Sequence, residues 1–129
     1  MKTLLPEGWP RPRGYANGIQ ADGEQVFVAG MIGWNEKEEI ADGFVPQLAQ
    51  ALRNTVAVLA EAGAGPEHVT RMTWYVKALD EYRANLKEVG QAYREIMGKN
   101  FPAMAVIGIV DLVDDGALLE IETTAVIPR

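Results

Sequence analysis

The chain contains no cysteine. Disulfides, thiolate zinc sites, iron–sulfur clusters and cysteine nucleophiles are therefore excluded outright. Its one histidine, His68, rules out a histidine-rich metal cage. Cations are also scarce: 12 Lys plus Arg stand against 18 Asp plus Glu, a formal net charge of −6. Nucleic-acid binding needs clustered cations to neutralise phosphates, so this balance argues against DNA or RNA as the main partner. No apolar run approaches the roughly 18 to 20 residues that cross a bilayer, which excludes a membrane-spanning helix. The opening Met1-Lys2-Thr3-Leu4-Leu5-Pro6-Glu7 lacks the apolar stretch of a secretory signal. A soluble cytoplasmic protein is the expectation.

What is present suffices for one core. The 129 residues suit a single domain, and 48% hydrophobic with 23% charged residues is the composition of a folded chain. Residues 1–14, with Pro6, Pro10 and Pro12 interleaved by Gly8 and Gly14, read as an extended arm, because proline withdraws backbone donors and disfavours helix before it. Residues 15–129 read as one domain without repeat or linker.

Two β-like runs, Tyr15 to Gln20 and Gln25 to Gly30, flank Ala21-Asp22-Gly23-Glu24, and Asp-Gly between such runs predicts a hairpin. Leu48, Leu52, Val56, Leu59 and Ala62 then recur at spacings of 4, 4, 3 and 3, which predicts a helix from about Phe44 to Ala62, capped by Asp42 and ended by Gly63. Val69 to Lys77 predicts a strand. Tyr82, Leu86, Val89, Tyr93 and Ile96 form the stripe of a second helix that Asp80 caps and Gly98 stops. Two last strands, Met104 to Val110 and Ala117 to Ile127, are joined by an Asp114-Asp115-Gly116 turn. The order β-β-α-β-α-β-β is an α+β fold, a mixed sheet with two helices on one face.

Two helices cover only one face of a sheet. Yet Val26 and Val28 point one way while Phe27 and Ala29 point the other, and Ala105, Ile107 and Ile109 oppose Val106 and Val110. An antiparallel sheet with one wet face alternates apolar with polar instead. The uncovered face is thus expected to meet further copies of the chain, with the arm folding over it as the alternative. If Ala117, Leu119, Ile121 and Thr123 meet the helices, Glu120 and Glu122 lie on that uncovered face. Carboxylates there are functional, paired with Arg71, Arg53 or Lys77, or exposed near an edge.

Several segments share an order and spacing with a known family. They are Gly14-Tyr15, Val28-Ala29-Gly30-Met31-Ile32, Gln47 with Asn54, Ala62-Gly63, Phe101-Pro102-Ala103 and Glu120-Ile121-Glu122. Together they resemble the RidA (YjgF-type) enamine/imine deaminases over nearly all of Tyr15 to Val126. The resemblance implies a chorismate-mutase-like fold and a homotrimer, with the sheets forming an inner barrel and small-molecule clefts between subunits. It implies neither cofactor nor metal. Its site would comprise Tyr15, Ala29, Gly30, Met31 and Met104, with Glu120 holding the water that attacks an imine carbon. The family pattern carries a carboxylate-binding Arg where this chain has Met104, a contact worth about 1.5–3 kcal/mol. Ala29, Met31 and Gly90 likewise replace polar residues, which implies a more apolar and more neutral pocket. Arg13, on the arm, is a candidate replacement for the missing charge.

Other features have simpler readings. His68 is a loop residue, Asp111, Asp114 and Asp115 belong to a turn, and Trp74 sits in the core. Trp34 either borders the cleft or packs between subunits. Two functions follow: hydrolysis of small imines or enamines with an altered substrate, or a non-catalytic metabolite-binding trimer. RNA cleavage, an older label for such proteins, sits poorly with the charge of −6.

Overall fold

The computed structural model describes residues 1–129. Its main sheet has four strands in the order β3-β6-β4-β5, with β3 at Gly23–Met31, β4 at Val69–Val76, β5 at Ala103–Gly108 and β6 at Leu119–Pro128. β4 and β5 run parallel and the other pairs antiparallel, so the sheet is mixed. A separate two-stranded ribbon pairs β1 (Lys2–Leu4) with β2 (Gly18–Gln20). Helix α1 (Phe44–Glu61), short α2 (Leu79–Ala84) and α3 (Leu86–Met97) pack on one face, and a single 3-10 turn at Pro66–His68 leads into β4. No helix is long and apolar enough to cross a membrane.

The core follows from the two periodicities. Along β6, Leu119, Ile121, Thr123 and Ala125 are buried against α1, while Glu120, Glu122 and Thr124 alternate onto the opposite face. Leu48, Leu52 and Leu59 of α1 are fully buried against them. Each such side chain is worth roughly 1.5–3 kcal/mol of transfer free energy. Val56 is half-buried and Ala62 lies exposed beyond the helix end.

Four local expectations are corrected. The Asp22-Gly23 segment does not close a hairpin: β2 pairs with β1 in the arm, and β3 pairs with β6. The last two strands are not neighbours either, since β4 lies between β5 and β6. The second helix breaks at Asn85, whose side-chain amide donates to the Glu81 carbonyl at 2.7 Å and competes with the helical ladder. Neither Asp42 nor Asp80 is a cap: the cap positions are Gly43 (φ 107°) and Ala78, without side-chain bonds.

The face opposite the helices stays open. Phe27 is 72% exposed there, and Ile107 of β5 is also exposed. Past the end of β5, Val110 is 97% exposed.

Candidate functional site

Two clusters of chemistry-bearing residues sit on opposite faces of the sheet. The first surrounds a cavity of about 600 Å³ between the outer strand β5 and the helices α2 and α3. Met104 and Val106 register with buried Met72 and Trp74, so they form its floor on the helix side. Tyr82, Leu86, Val89 and Tyr93 supply the helical wall. This is the apolar stripe of the second helix, and it leaves β5 partly uncovered because the helix breaks at Asn85. The remaining wall is Gly14-Tyr15, brought in by a parallel bridge between Ala16 and Ala103 and by a bond from the Ala16 N–H to the Pro102 carbonyl at 2.8 Å.

Aromatic rings line this cavity in sequence. Trp74 lies edge-on to Tyr82 (centroids 6.4 Å apart) and tilted to Tyr93 (6.2 Å), and Tyr93 stacks on Phe101 at 5.6 Å. The Tyr93 hydroxyl donates to the Asn100 carbonyl. Burial raises the Tyr82 phenol above its ordinary value and holds the Tyr93 phenol well above it. Trp74 is only 2% exposed, and its indole N–H is buried without a partner. The expectation of a core tryptophan therefore holds for its burial, while its position on the cavity wall went unforeseen.

The second cluster is on the open face. Glu120 registers with Tyr75, and its carboxyl lies directly over Gly30: a Cβ built on Gly30 would stand 2.6 Å from the Glu120 Cδ and Oε2. The β3–β6 register shifts between Val28 and Met31, so this glycine sits in a bulge. Glu122 accepts a hydrogen bond from the Tyr75 hydroxyl at 2.7 Å, which raises the Tyr75 pKa, with desolvation adding to it. Within the chain neither glutamate pairs with Arg71, Arg53 or Lys77, and Lys77 instead meets Asp111 at 3.3 Å. That contact and the Leu112 N–H, at 2.8 Å, lower the Asp111 pKa, with the N–H bond the larger cause.

Of the residues expected at the site, Arg13, Tyr15 and Met104 line the cavity. Ala29, Gly30, Met31, Trp34 and Glu120 do not. Ala29 and Gly30 are exposed, Met31 pairs with Ile121, and Trp34 is half-buried with a bridge to Ile40. Arg94 lines the cavity beside Arg13, a cation that the expectation of a more neutral pocket did not include. Sequence reading missed Arg94, Trp74 and Tyr82 as site residues, although Arg94 follows Tyr93 of the apolar stripe and stands one turn after Gly90.

Gln47 and Asn54 hold the loops around this framework. The Gln47 amide donates to the carbonyls of Ala41 and Gly116, each at 3.0 Å, and accepts from the Leu118 N–H at 2.8 Å. Asn54 donates to the carbonyls of Ile32 and Trp34 at 3.1 and 2.7 Å. His68 ends the 3-10 turn rather than lying in a loop, and its Nδ1 accepts from the Gly65 N–H at 3.0 Å. The Asp114 carboxylate accepts from the Gly116 N–H at 2.9 Å, as a turn residue does.

Comparison with known proteins bears on all of this. The family model described as Endoribonuclease L-PSP matches residues 10–127. A RutC family protein of Aquifex aeolicus is 32% identical over 98% of this chain and 99% of the relative. The 2-iminobutanoate/2-iminopropanoate deaminase of Escherichia coli is 28% identical over 97% of each chain. The crystal structure of a Rid-family protein of unknown function from Yersinia pestis superposes with a TM-score of 0.84, at 32% identity and 98% coverage of both chains. On the match across nearly its whole length, the chain belongs to the Endoribonuclease L-PSP family, the family of the RidA (YjgF) proteins.

Proposed function

We propose that the protein is a hydrolase of small imines or enamines that releases a carbonyl compound and ammonia from clefts between copies of the chain. The observation that carries this reading is the Glu120 carboxyl lying over the side-chain-free Gly30 on a sheet face that one chain leaves open. A carboxylate in that position accepts a proton from water, and the hydroxide so formed adds to the electrophilic C=N carbon. Glu120 returns its proton to the nitrogen, and the carbinolamine so formed passes its hydroxyl proton to the same nitrogen as the C–N bond breaks, so ammonia leaves and the carbonyl remains. The Escherichia coli relative named for 2-imino acid deamination supports the reaction class. Because cavity and carboxylate occupy opposite faces, the reading requires a homotrimer, or another closed assembly, in which a neighbour's Glu120 meets the cavity. Ala29, Gly30 and Met31 would border the cleft from the neighbour's side, and Tyr15 and Met104 from this one.

A second reading, a metabolite-binding protein without catalysis, is favoured by one feature: the cavity of a single chain contains no carboxylate or histidine. Ammonia release from freshly generated imines separates the two. The deaminase reading expects release by the wild type and its loss, by about a hundredfold or more, in Glu120→Ala. Release unaffected by that change removes Glu120 from the chemistry, and no release from any imine leaves the binding reading.

A further inference from the structure

The cavity carries a charge pattern opposite to that of the whole molecule. In a chain of net charge −6, the only charged residues among its thirteen lining residues are Arg13 and Arg94, while nine of the other eleven are hydrophobic and two are glycine. Arg94 forms no salt bridge and no side-chain hydrogen bond. Its guanidinium folds back one turn over Gly90, with Nη1 3.3 Å from the place a Cβ there would occupy. Helical side chains lean toward the preceding turn, so a residue at i+4 from a glycine can settle into the recess that glycine leaves. A lone Cβ at position 90 would shift the guanidinium by a few tenths of an ångström, and a longer side chain would compete with it for the recess. Beside it lie the four-ring aromatic wall and the Trp74 indole N–H that has no partner.

We infer that this cavity takes a carboxylate bearing a bulky apolar group, aryl or branched aliphatic, whose carboxylate pairs with Arg94 while the apolar group packs among Trp74, Tyr93, Phe101 and Met104. The inference rests on the reading of the cavity as the ligand site and deepens it by naming the ligand class. Met104 then does not discard the carboxylate. It gives the apolar group a surface, and the cation comes from α3 instead of β5. A guanidinium meets a carboxylate with two parallel hydrogen bonds, and the apolar surroundings strengthen them. An acid with only a short side chain would leave most of the roughly 600 Å³ unfilled.

The test is titration calorimetry with three probes: 3-phenylpropanoate, its neutral amide 3-phenylpropanamide, and propanoate. The wild type should bind 3-phenylpropanoate at least tenfold more tightly than either of the others. Arg94→Gln should erase the advantage over the amide while keeping the wild-type affinity for the amide, which shows the cavity intact. Gly90→Asn, which competes with the guanidinium for the recess, should weaken 3-phenylpropanoate binding in the same direction. Equal wild-type affinities for acid and amide, or an acid preference that survives Arg94→Gln, overturn the inference. Ammonia release is measured separately: its absence, with the acid preference intact, defeats the deaminase reading alone, whereas release by a protein without that preference defeats this inference alone.

Discussion

Replacing Gln47 offers the sharpest test of how the framework is held. The side chain is 2% exposed and makes three hydrogen bonds to backbone groups of two loops. Gln47→Ala removes all three, at about 1 kcal/mol net each, and one buried methylene worth about 0.8 kcal/mol. The sum is about 4 kcal/mol, and partial entry of water to the freed carbonyls lowers it to about 3. For a chain of this length that corresponds to a fall in Tm on the order of 10 °C. Gln47→Glu separates hydrogen bonding from packing, since it keeps the shape and the acceptor for Leu118 but sets an oxygen, in place of the amide donor, against two carbonyl oxygens. Ionising it there is unfavourable, so its folded pKa rises above the unfolded value near 4.3. A raised pKa contributes stability that is present below the unfolded pKa and lost as pH rises. The variant should therefore lose up to about 1.4 kcal/mol per pH unit above roughly pH 4 until its folded pKa is passed. Urea unfolding at fixed protomer concentration, at several pH values, reads both effects. A cost below about 1 kcal/mol for Gln47→Ala, or a pH profile for Gln47→Glu that parallels the wild type, would refute the reasoning.

Two further outcomes are expected. Burial raises the Tyr93 pKa, so the unfolded chain ionises this phenol near pH 10 while the folded chain keeps its proton. The stability this contributes is present below about pH 10 and lost above it, and Tyr93→Phe should lessen the loss between pH 10 and 11 by about 1 kcal/mol in urea unfolding; identical slopes would remove Tyr93 as the cause. Phe27→Arg, on the open face, should convert the assembly into a folded 14.1 kDa monomer by sedimentation, and a wild type that already sediments as a monomer at micromolar concentration would sink the proposed clefts.

Periodicity made the helices and the two faces of β6 legible before any coordinates. Alternation along residues 117–124 is enough to set Glu120 and Glu122 apart from Leu119 and Ile121, and the structure has them so. The hairpin was misread because Gly23 serves another purpose. It belongs to β3, and a Cβ there would stand 2.0 Å from the Ile127 carbonyl oxygen, so the glycine answers the close approach of β6 and not a tight turn. Pairings between β3 and β6, or β4 and β5, join segments far apart in the chain, and no local signal encodes them. The cavity was hidden for the same reason: Tyr15, Trp74, Tyr93 and Met104 come from four separate segments.

The two faces of the sheet explain why this site resists reading from one chain. Met104 and Glu120 belong to strands of the same sheet, yet their side chains leave it in opposite directions. Met104 registers with buried Met72, whereas Glu120 registers with Tyr75 on the open side. No rotamer carries the Glu120 carboxyl through a packed layer that includes the fully buried Met72 and Ile121. A reaction that uses both must therefore draw them from different copies. On the function proposed above, the cavity side sets what binds, through Arg94 and the aromatic wall, and the open side sets what is done to it. Substitutions on α3 should then alter ligand preference while leaving the Glu120 carboxyl over Gly30 in place.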